Sequence, residues 1–353
     1  MKKTISVFFA LITALVCAVP AQAISTSAES AILIEAESGE VIYEKDADAR
    51  RGPASTTKIM TALVAIENCP LEKLVTVAPE AAGVEGSSIY LYAGEKITMG
   101  DLLYALMLGS ANDAAAAIAY EIAGGIDEFA AMMNEKASSL GLENTHFSNP
   151  HGLDAPDHYT TARDLSKIAR AALENETFRK IVSSKKAVIP MQSGEATRVL
   201  KNHNRLLFLY DDIIGVKTGY TKKCGRTLVS AAERNGARFI AVTLSDGDDW
   251  RDHREMLDCG FELYERVTLC RAGELSFGIK AGKGNATVST ARDVCATLKR
   301  CRGELRFEAD YPDKISENVT AGDAVGEVRF YLDEKLIKTE PLVILSYTEK
   351  SDN

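Results

Sequence analysis

Three short polar strings, far apart in the chain but in a fixed order, constrain the fold more than any other feature. They are Ser55-Thr56-Thr57-Lys58, Ser110-Ala111-Asn112 and Lys217-Thr218-Gly219. On a helix, Ser55 and Lys58 lie about one turn apart on the same face, so the amine can reach the hydroxyl. A serine at its ordinary pKa is a weak nucleophile and needs a neighbouring base. Lys58 can be that base only when neutral, which burial and the second cation Lys217 would both favour.

The order and the context of the strings carry the signal, because each one alone is common. The chain holds a second S-x-x-K, Ser183-Ser184-Lys185-Lys186, and a second S-x-N, Ser316-Glu317-Asn318. The first lies in a polar stretch without an apolar helix after it, and the second follows the K-T-G and breaks the order. Taken singly, Ser55 or Ser110 could simply cap a helix, and Lys217 could end an ordinary strand. The ordered set favours a catalytic interpretation.

The amino terminus has the pattern of a secretory signal peptide, residues 1–23. Lys2 and Lys3 precede an apolar run from Ile5 to Val19, and Ala21-Gln22-Ala23 follows it. The run is shorter than the roughly 20 residues that a membrane span needs, and the small residues favour cleavage. We therefore expect an exported, extracytoplasmic protein, secreted or associated with the cell wall, that begins near Ile24 after cleavage near Ala23.

Composition excludes several classes of partner. The formal net charge is −9, with five histidines and no long basic run. An acidic surface argues against nucleic acid and against binding to anionic lipid. Metal-ligand spacing and a glycine-rich phosphate loop are both missing from the sequence, so we expect no metal and no cofactor.

Six cysteines follow the predicted cleavage site. An even number in an exported protein permits disulfides, with 15 possible pairings. A chain of this size can also fold on its core alone and keep buried thiols. The sequence leaves open the state of these cysteines, which are Cys69, Cys224, Cys259, Cys270, Cys295 and Cys301.

Residues 24–266 have the organisation of an α+β domain with an antiparallel sheet. Ala31–Ile34 and Val41–Tyr43 predict a first hairpin, and a helical region extends from Ser55 to about Ile168. Strands are then predicted at Ile213–Gly219, Thr227–Ala232 and Arg238–Leu244, the last two joined by the strong hairpin turn Asn235-Gly236. A helix is expected from about Arg254 to Arg266. Such a sheet, assembled from both ends of the domain, could place Lys217 opposite the helix that carries Ser55.

The sequence pattern changes at residue 267, and residues 267–353 predict a small all-β domain. Short alternating segments and turn residues continue to about Tyr347, with a final strand at Leu342–Tyr347. Only six polar residues follow, and they carry no apolar face that could lie in a membrane surface. We therefore expect no stable membrane anchor in the mature chain.

Nearly the whole mature chain resembles the D-alanyl-D-alanine carboxypeptidases of the low-molecular-weight penicillin-binding protein family, which carry the S-x-x-K, S-x-N and K-T-G set. The similarity extends to the sequence around the nucleophile, Pro53–Thr61. It also includes four shorter segments, which are Gly94-Glu95-Lys96, Asn149–Leu153, Thr161–Leu165 and Cys259-Gly260-Phe261. The resemblance implies a penicillin-binding transpeptidase-like domain followed by a small β domain. It implies peptidoglycan stem peptides as substrates, β-lactams as covalent inhibitors, and no cofactor. Many members end in an amphipathic helix, and we expect none here, because only six polar residues follow the final predicted strand.

The resemblance also implies the roles of individual residues. Ser55 would be the acylated nucleophile, Lys58 its general base, and Ser110 a proton relay to the leaving D-alanine. The substrate would be bound by Asn112, Lys217, Thr218, Gly219 and Tyr220, with the backbone N–H groups of Ser55 and Tyr220 forming the oxyanion hole. Some members add an arginine for the substrate carboxylate; Arg251 is the candidate here and Arg254 its rival.

Two other functions share part of this pattern. Class A β-lactamases carry S-D-N and a glutamate that activates the deacylating water, whereas this chain has Ala111 in the motif and no matching glutamate between Asn112 and Lys217. A non-catalytic penicillin- or wall-binding module would not need Ser55, Lys58 and Lys217 together. Endopeptidase action on cross-links remains open as a variant of the carboxypeptidase.

Overall fold

The structure is a computed structural model that describes residues 2–8, 24–191, 196–300, 303–316 and 320–348. The chain divides into two compact units, one of Gln22–Phe261 and the other of Met1–Ala21 with Glu262–Asn353. The expected boundary between residues 266 and 267 falls inside a strand of the second unit, Tyr264–Cys270.

The elements follow one another along the chain with the helices concentrated in the first unit. In chain order the strands are β1 (Lys2–Phe8), β2 (Ser30–Glu35), β3 (Val41–Lys45), β4 (Leu74–Thr76), β5 (Lys96–Thr98), β6 (Lys186–Pro190), β7 (Thr197–Lys201), β8 (Ile213–Thr221), β9 (Gly225–Arg234), β10 (Ala237–Leu244), β11 (Tyr264–Cys270), β12 (Phe277–Ala281), β13 (Gly284–Ser289), β14 (Val294–Lys299), β15 (Leu305–Pro312), β16 (Lys314–Ile315), β17 (Ala324–Leu332) and β18 (Lys335–Thr348). The helices are α1 (Lys58–Asn68), α2 (Met99–Leu108), α3 (Asn112–Ala123), α4 (Ile126–Ser139), α5 (Ala162–Glu174), α6 (Glu176–Ser183), α7 (Leu206–Leu209) and α8 (Asp249–Leu263), with short 3-10 helices at Ala54–Thr57 and Pro79–Ala81.

The sheet of the first unit joins the two ends of that unit, as the sequence predicts. Its five strands lie in the order β3-β2-β10-β9-β8, and every neighbouring pair is antiparallel. Asn235 and Gly236 connect β9 to β10 with φ values of 51° and 81°, the left-handed conformation that a tight hairpin turn requires. Strand β8, which carries the K-T-G string, forms one edge of the sheet.

The helices of the first unit pack into one apolar core with α1 at its centre. All residues of α1 from Lys58 to Ala65 are buried. Helix α2 is capped by Thr98, whose side chain accepts a hydrogen bond from the Asp101 N–H, a normal N-cap. The alanine-rich helix α3 ends at Gly124 in the left-handed conformation (φ 79°). Helix α5 packs on β10 and β2, and α6 packs on β8.

Two predicted elements differ from the structure. The helix expected at Arg254–Arg266 is α8, which begins earlier, at Asp249, and ends at Leu263. Its last predicted residues instead open β11, because from Tyr264 onward the backbone pairs antiparallel with β14. The helical middle of the first unit is also interrupted by the two-stranded pair β4–β5.

The second unit is built from strands, and its described residues after Leu263 contain no helix. A seven-stranded sheet has the order β1-β15-β17-β18-β13-β12-β16, and β11 pairs with β14. In β15 buried and half-buried residues alternate strictly, the pattern of a strand with one face on a core. The predicted α+β unit followed by an all-β unit is thus confirmed.

The predicted leader and cysteines are only partly covered by the structure. Within residues 1–23, Lys2–Phe8 form β1, which pairs antiparallel with β15; the expected cleavage site lies outside the described residues. A helix with the length and apolarity to cross a bilayer does not occur in the described part of the chain. Cys69, Cys224, Cys270 and Cys295 are free thiols, while Cys301 lies outside the described residues.

Candidate active site

Ser55 lies in the 3-10 turn that leads into α1. Ala54 starts this turn with a φ of 47°, and Thr57 closes it by donating from its hydroxyl to the Ala54 carbonyl at 2.8 Å. The residue that precedes α1 is Thr57, and no side chain caps that helix. Ser55 is therefore not a helix cap, and its hydroxyl is left for the neighbouring Lys58.

The Lys58 amine occupies the centre of the site. Its Nζ lies 3.1 Å from Ser55 Oγ, donates to Asn112 Oδ1 at 2.7 Å, and also contacts the His151 carbonyl oxygen. The Lys58 side chain is completely buried. These partners aim the nitrogen at the serine oxygen from which a base would remove a proton.

The electrostatic environment favours the neutral form of the Lys58 amine. Burial is the largest effect and holds the pKa of Lys58 well below its ordinary value of 10.5. The nearby Lys217 lowers the pKa further, and the Asp113 carboxylate opposes these two effects. A buried cation without an adjacent counter-ion pays a desolvation penalty, so the proton is readily lost. The predicted neutral lysine base fits this geometry.

Ser110 and Lys217 form a second hydroxyl–amine pair. Ser110 precedes α3 with a φ of 56°, while Ala111 occupies the N-cap position, so Ser110 is not a cap either. Lys217 Nζ donates to Ser110 Oγ at 3.0 Å and to the Thr218 carbonyl at 2.8 Å. Burial lowers the pKa of Lys217 to about 7. This pair can therefore exchange a proton near neutral pH.

Asn112 links Lys58 to the loop that contains residues 85–87. Its Oδ1 accepts from Lys58 and its Nδ2 donates to the Glu85 carbonyl at 2.5 Å. Its backbone N–H donates to the Ser87 carbonyl at 2.7 Å. A Cβ on Gly86 would lie 2.6 Å from Asn112 Nδ2, so this close approach needs a glycine. Both ends of the amide are engaged, which fixes its orientation.

The edge strand β8 passes directly beside the nucleophile. A Cβ on Gly219 would lie 2.9 Å from the Ser55 nitrogen and 3.1 Å from the Thr56 nitrogen. Any side chain here would push the strand away from the start of α1. The glycine of K-T-G thus allows the backbone of β8 to reach the serine, and a cleft of about 500 Å³ opens along the strand. This cleft is lined by Ser55, Ser87, Ser110, His203, Thr218, Gly219, Tyr220, Arg226, Asp249 and Trp250.

A buried histidine supports the nucleophile turn from behind, and its role was not predicted. The Ser148 N–H donates to His158 Nδ1 at 3.0 Å, so the neutral ring carries its proton on Nε2 and donates it to Thr57 Oγ1 at 2.8 Å. Burial lowers the pKa of His158 to about 4, which keeps the ring neutral. A Cβ on Gly152 (φ 88°) would come within 1.9 Å of the Ala54 carbonyl oxygen. The loop 148–158 therefore holds the turn in place.

The predicted carboxylate-binding arginine is not brought to the cleft. Arg251 is more than half exposed and forms ion pairs with Asp248, Asp252 and Glu255. Its rival Arg254 pairs with Asp212 and Asp258. Both arginines lie on α8 among carboxylates of the same helix and its neighbourhood, which accounts for their direction away from the cleft.

Five cleft residues were not predicted from the sequence, and one of them is Ser87. The other four are His203, Arg226, Asp249 and Trp250, and none of the five belongs to a motif. The pairing of β8 with β9 places Arg226 opposite Tyr220, and both residues lie just beyond the predicted strands Ile213–Gly219 and Thr227–Ala232. Among the described residues, no three His, Cys, Asp or Glu side chains are arranged to hold a metal ion.

Comparisons with known proteins cover both units. A model of the D-alanyl-D-alanine carboxypeptidase family matches residues 17–248, and a model of the penicillin-binding protein 5 C-terminal domain matches residues 264–350. D-alanyl-D-alanine carboxypeptidase DacF of Bacillus subtilis is 32% identical over 328 residues, covering 89% of this chain and 84% of the relative. DacA of Escherichia coli K12 is 32% identical over 343 residues, covering 90% of this chain and 83% of the relative.

Solved structures agree with these matches. Penicillin-binding protein 5 from Haemophilus influenzae superposes with a TM-score of 0.70 at 26% identity, covering 92% of this chain and 98% of that structure. A variant of the Streptomyces K15 DD-transpeptidase superposes with a TM-score of 0.64 at 36% identity, covering 68% of this chain and 99% of that structure. The β-lactamase and binding-module alternatives receive no support. The chain belongs to the D-alanyl-D-alanine carboxypeptidase family of serine-type hydrolases.

Proposed function

We propose that this protein removes the terminal D-alanine from peptidoglycan stem peptides through an acyl-enzyme on Ser55, and that β-lactams acylate the same oxygen. The observation that carries the proposal is the fully buried Lys58 amine 3.1 Å from Ser55 Oγ. Family membership supports the substrate class. The leader-like composition of residues 1–23 supports action outside the cytoplasmic membrane, against the cell wall.

In the acylation step, Ser55 Oγ attacks the carbonyl carbon of the penultimate D-alanine. Its proton passes to the neutral Lys58 amine, which becomes an ammonium, and the carbonyl oxygen becomes an oxyanion. The backbone N–H groups of Ser55 and Tyr220 would donate to this oxyanion. The close approach of β8 at Gly219 to the Ser55 nitrogen supports that assignment. Donors placed where charge develops only in the transition state accelerate acyl transfer by about 10²- to 10³-fold each.

Collapse of the tetrahedral intermediate breaks the peptide C–N bond. The leaving nitrogen takes a proton from Ser110 Oγ, and Lys217 resupplies that hydroxyl through the 3.0 Å hydrogen bond. Because the pKa of Lys217 is about 7, the amine can give up this proton near neutral pH. The products of this step are free D-alanine and an ester of Ser55.

Water completes the cycle by adding to the ester carbonyl, and one of its protons returns through Ser110 to the neutral Lys217 amine. The new carboxyl group releases the other proton, which the amine of the departed D-alanine takes up. The bond to Ser55 Oγ breaks, and the oxygen recovers a proton from the Lys58 ammonium. The free peptide carboxylate and the original enzyme result, so no oxidant, metal or cofactor enters the balance. Asn112 holds Lys58 in place at 2.7 Å throughout, and Thr218 lies in the cleft beside the leaving residue.

The test is D-alanine release from diacetyl-Lys-D-Ala-D-Ala, measured beside hydrolysis of a chromogenic β-lactam. We expect release of D-alanine and slow turnover of the β-lactam with accumulation of a covalent adduct. A matched peptide ending in D-Ala-L-Ala should release much less product. Rapid β-lactam turnover without D-alanine release would overturn the proposal in favour of a β-lactamase.

A further inference from the structure

The cleft contains one arginine that no motif accounts for. We propose that Arg226 binds the terminal carboxylate of the substrate, together with Thr218, and so selects peptides with a free carboxyl end. This inference rests on the proposed function and names the residue that recognises the negative charge of the substrate's terminal carboxylate. Carboxylate binding, which the sequence had suggested for Arg251 on α8, is thus assigned to Arg226 on β9.

The strand register places Arg226 beside the K-T-G string. In the antiparallel pair of β8 and β9, Tyr220 lies opposite Arg226 and Thr218 lies opposite Leu228. Directly opposed residues of an antiparallel pair project from the same face, with Cβ atoms about 4.5–5.5 Å apart. Alternation along each strand therefore puts Thr218, Tyr220 and Arg226 on one face. All three line the same cleft as Ser55.

The neighbours of Arg226 hold its guanidinium while leaving donors for a ligand. Nη2 donates to the buried Asp249 Oδ1 at 2.6 Å, and the guanidinium carbon lies 5.7 Å from the centre of the Trp250 ring. A guanidinium has five N–H donors in a planar fork that matches a carboxylate. The Arg226 side chain is 44% exposed. The group is thus oriented by Asp249 and still open to the cleft.

Three other basic side chains in or near the cleft are paired or neutral, whereas Arg205 lies 6.0 Å from the centre of the Trp250 ring and does not line the cleft. Lys217 is buried and bonded to Ser110, and Arg251 is held by carboxylates outside the cleft. His203 also lines the cleft, but burial and the nearby Lys217 lower its pKa, so at neutral pH it offers a hydrogen bond without charge. Among the described lining residues, Arg226 is the permanent positive charge.

The first test compares Arg226→Gln with the matched control Arg251→Gln on two substrates. These are diacetyl-Lys-D-Ala-D-Ala with a free carboxylate and the same peptide as its C-terminal amide. Because a charged hydrogen-bonded pair is lost, we expect kcat/KM of Arg226→Gln to fall about 10- to 100-fold for the acid. The amide should change less than about 3-fold, and Arg251→Gln should change neither. Arg226→Lys, which keeps the charge but loses the fork, should fall in between.

The outcomes separate this inference from the proposed function. An equal loss on acid and amide would assign Arg226 a merely structural role and overturn the inference, as would unchanged kinetics in Arg226→Gln. If Arg251→Gln had the larger effect on the acid, Arg251 on α8 would be the residue that binds the carboxylate. Absence of D-alanine release by the wild-type protein would instead overturn the proposed function.

A binding measurement provides a readout without turnover. Trp250 is the single tryptophan of the chain, and it lies in the cleft beside Arg226. In a Ser55→Ala background, its fluorescence should report binding of the acid peptide more tightly than of the amide. Adding Arg226→Gln should remove that preference. A preference that survives the second substitution would contradict the assignment.

Discussion

The chain contains the S-x-x-K string in two places, and the two copies differ in secondary structure and in burial. Ser55 and Lys58 lie where a 3-10 turn enters a central helix, with Lys58 fully buried. Ser183 ends α6 and Lys186 opens β6, and both are exposed. The Ser183 hydroxyl donates to the Lys180 carbonyl at 3.3 Å and not to a lysine amine.

We infer that burial, and not the string itself, distinguishes the two serine–lysine pairs. An exposed lysine keeps its proton at neutral pH and cannot act as a base. Lys58 loses its proton more easily because its amine is desolvated and lies near Lys217. The 3-10 turn that leads into α1 also keeps Ser55 and Lys58 close together, whereas the change from helix to strand between Ser183 and Lys186 removes that alignment.

The largest effect should come from removing one of the two hydroxyls. Ser55→Ala should reduce D-alanine release at least about 10⁴-fold, because the attacking oxygen is lost. Ser183→Ala is the matched control and should retain full activity. Circular dichroism of both variants should match the wild-type protein, since Ser55 caps no helix. Substantial activity in Ser55→Ala would show that Ser55 is not the nucleophile.

The next effect concerns the base. Lys58→Arg should lower the acylation rate about 10²- to 10⁴-fold, because arginine does not release its proton, whereas Lys186→Arg should change nothing. In the wild-type protein, the acylation rate should fall as the pH drops, since the neutral fraction of Lys58 decreases below its pKa. Stopped-flow acylation by a β-lactam between pH 5 and pH 10 measures both. A normal rate in Lys58→Arg would place the base elsewhere.

A smaller effect should appear in stability when the support of the nucleophile turn is disturbed. Gly152→Ala forces a Cβ to 1.9 Å from the Ala54 carbonyl oxygen and should lower the free energy of unfolding by about 2–4 kcal/mol. Gly141→Ala is the control, because its φ is also positive, at 67°, but its Cβ would meet no atom within 4 Å. It should cost only about 1 kcal/mol. Equal losses in urea unfolding would mean that the turn is not held by this loop.

The sequence predicted the parts of the fold that follow from local pattern. The β2–β3 hairpin, the strands β8 to β10 with their Asn235-Gly236 turn, and the all-β second unit were all identified from alternation and turn residues. The structure also brings Ser55, Lys58, Ser110, Asn112 and Lys217 together through hydrogen bonds. Ordered motifs identify such a set because each string has its own local structure.

What could not be predicted depends on side-chain direction and on long-range contacts. The sequence alone does not distinguish Arg251 from Arg226. In the structure, Arg251 forms ion pairs with nearby carboxylates outside the cleft, whereas the strand register places Arg226 in the lining of the cleft. His158 acts through a hydrogen bond to Thr57, 101 residues before it. The helix boundary at Leu263 depends on the pairing of β11 with β14, which local periodicity does not encode.

The most direct test of the account is to map the covalent adduct of a labelled penicillin on the intact protein. Digestion and mass spectrometry should find one penicilloyl adduct, on the peptide that contains Ser55, because its oxygen lies 3.1 Å from the Lys58 amine, whose burial favours the neutral form. Lys58→Arg should show little adduct in the same time. An adduct on the peptide that contains Ser183, or equal labelling of both peptides, would contradict the claim that burial makes the difference.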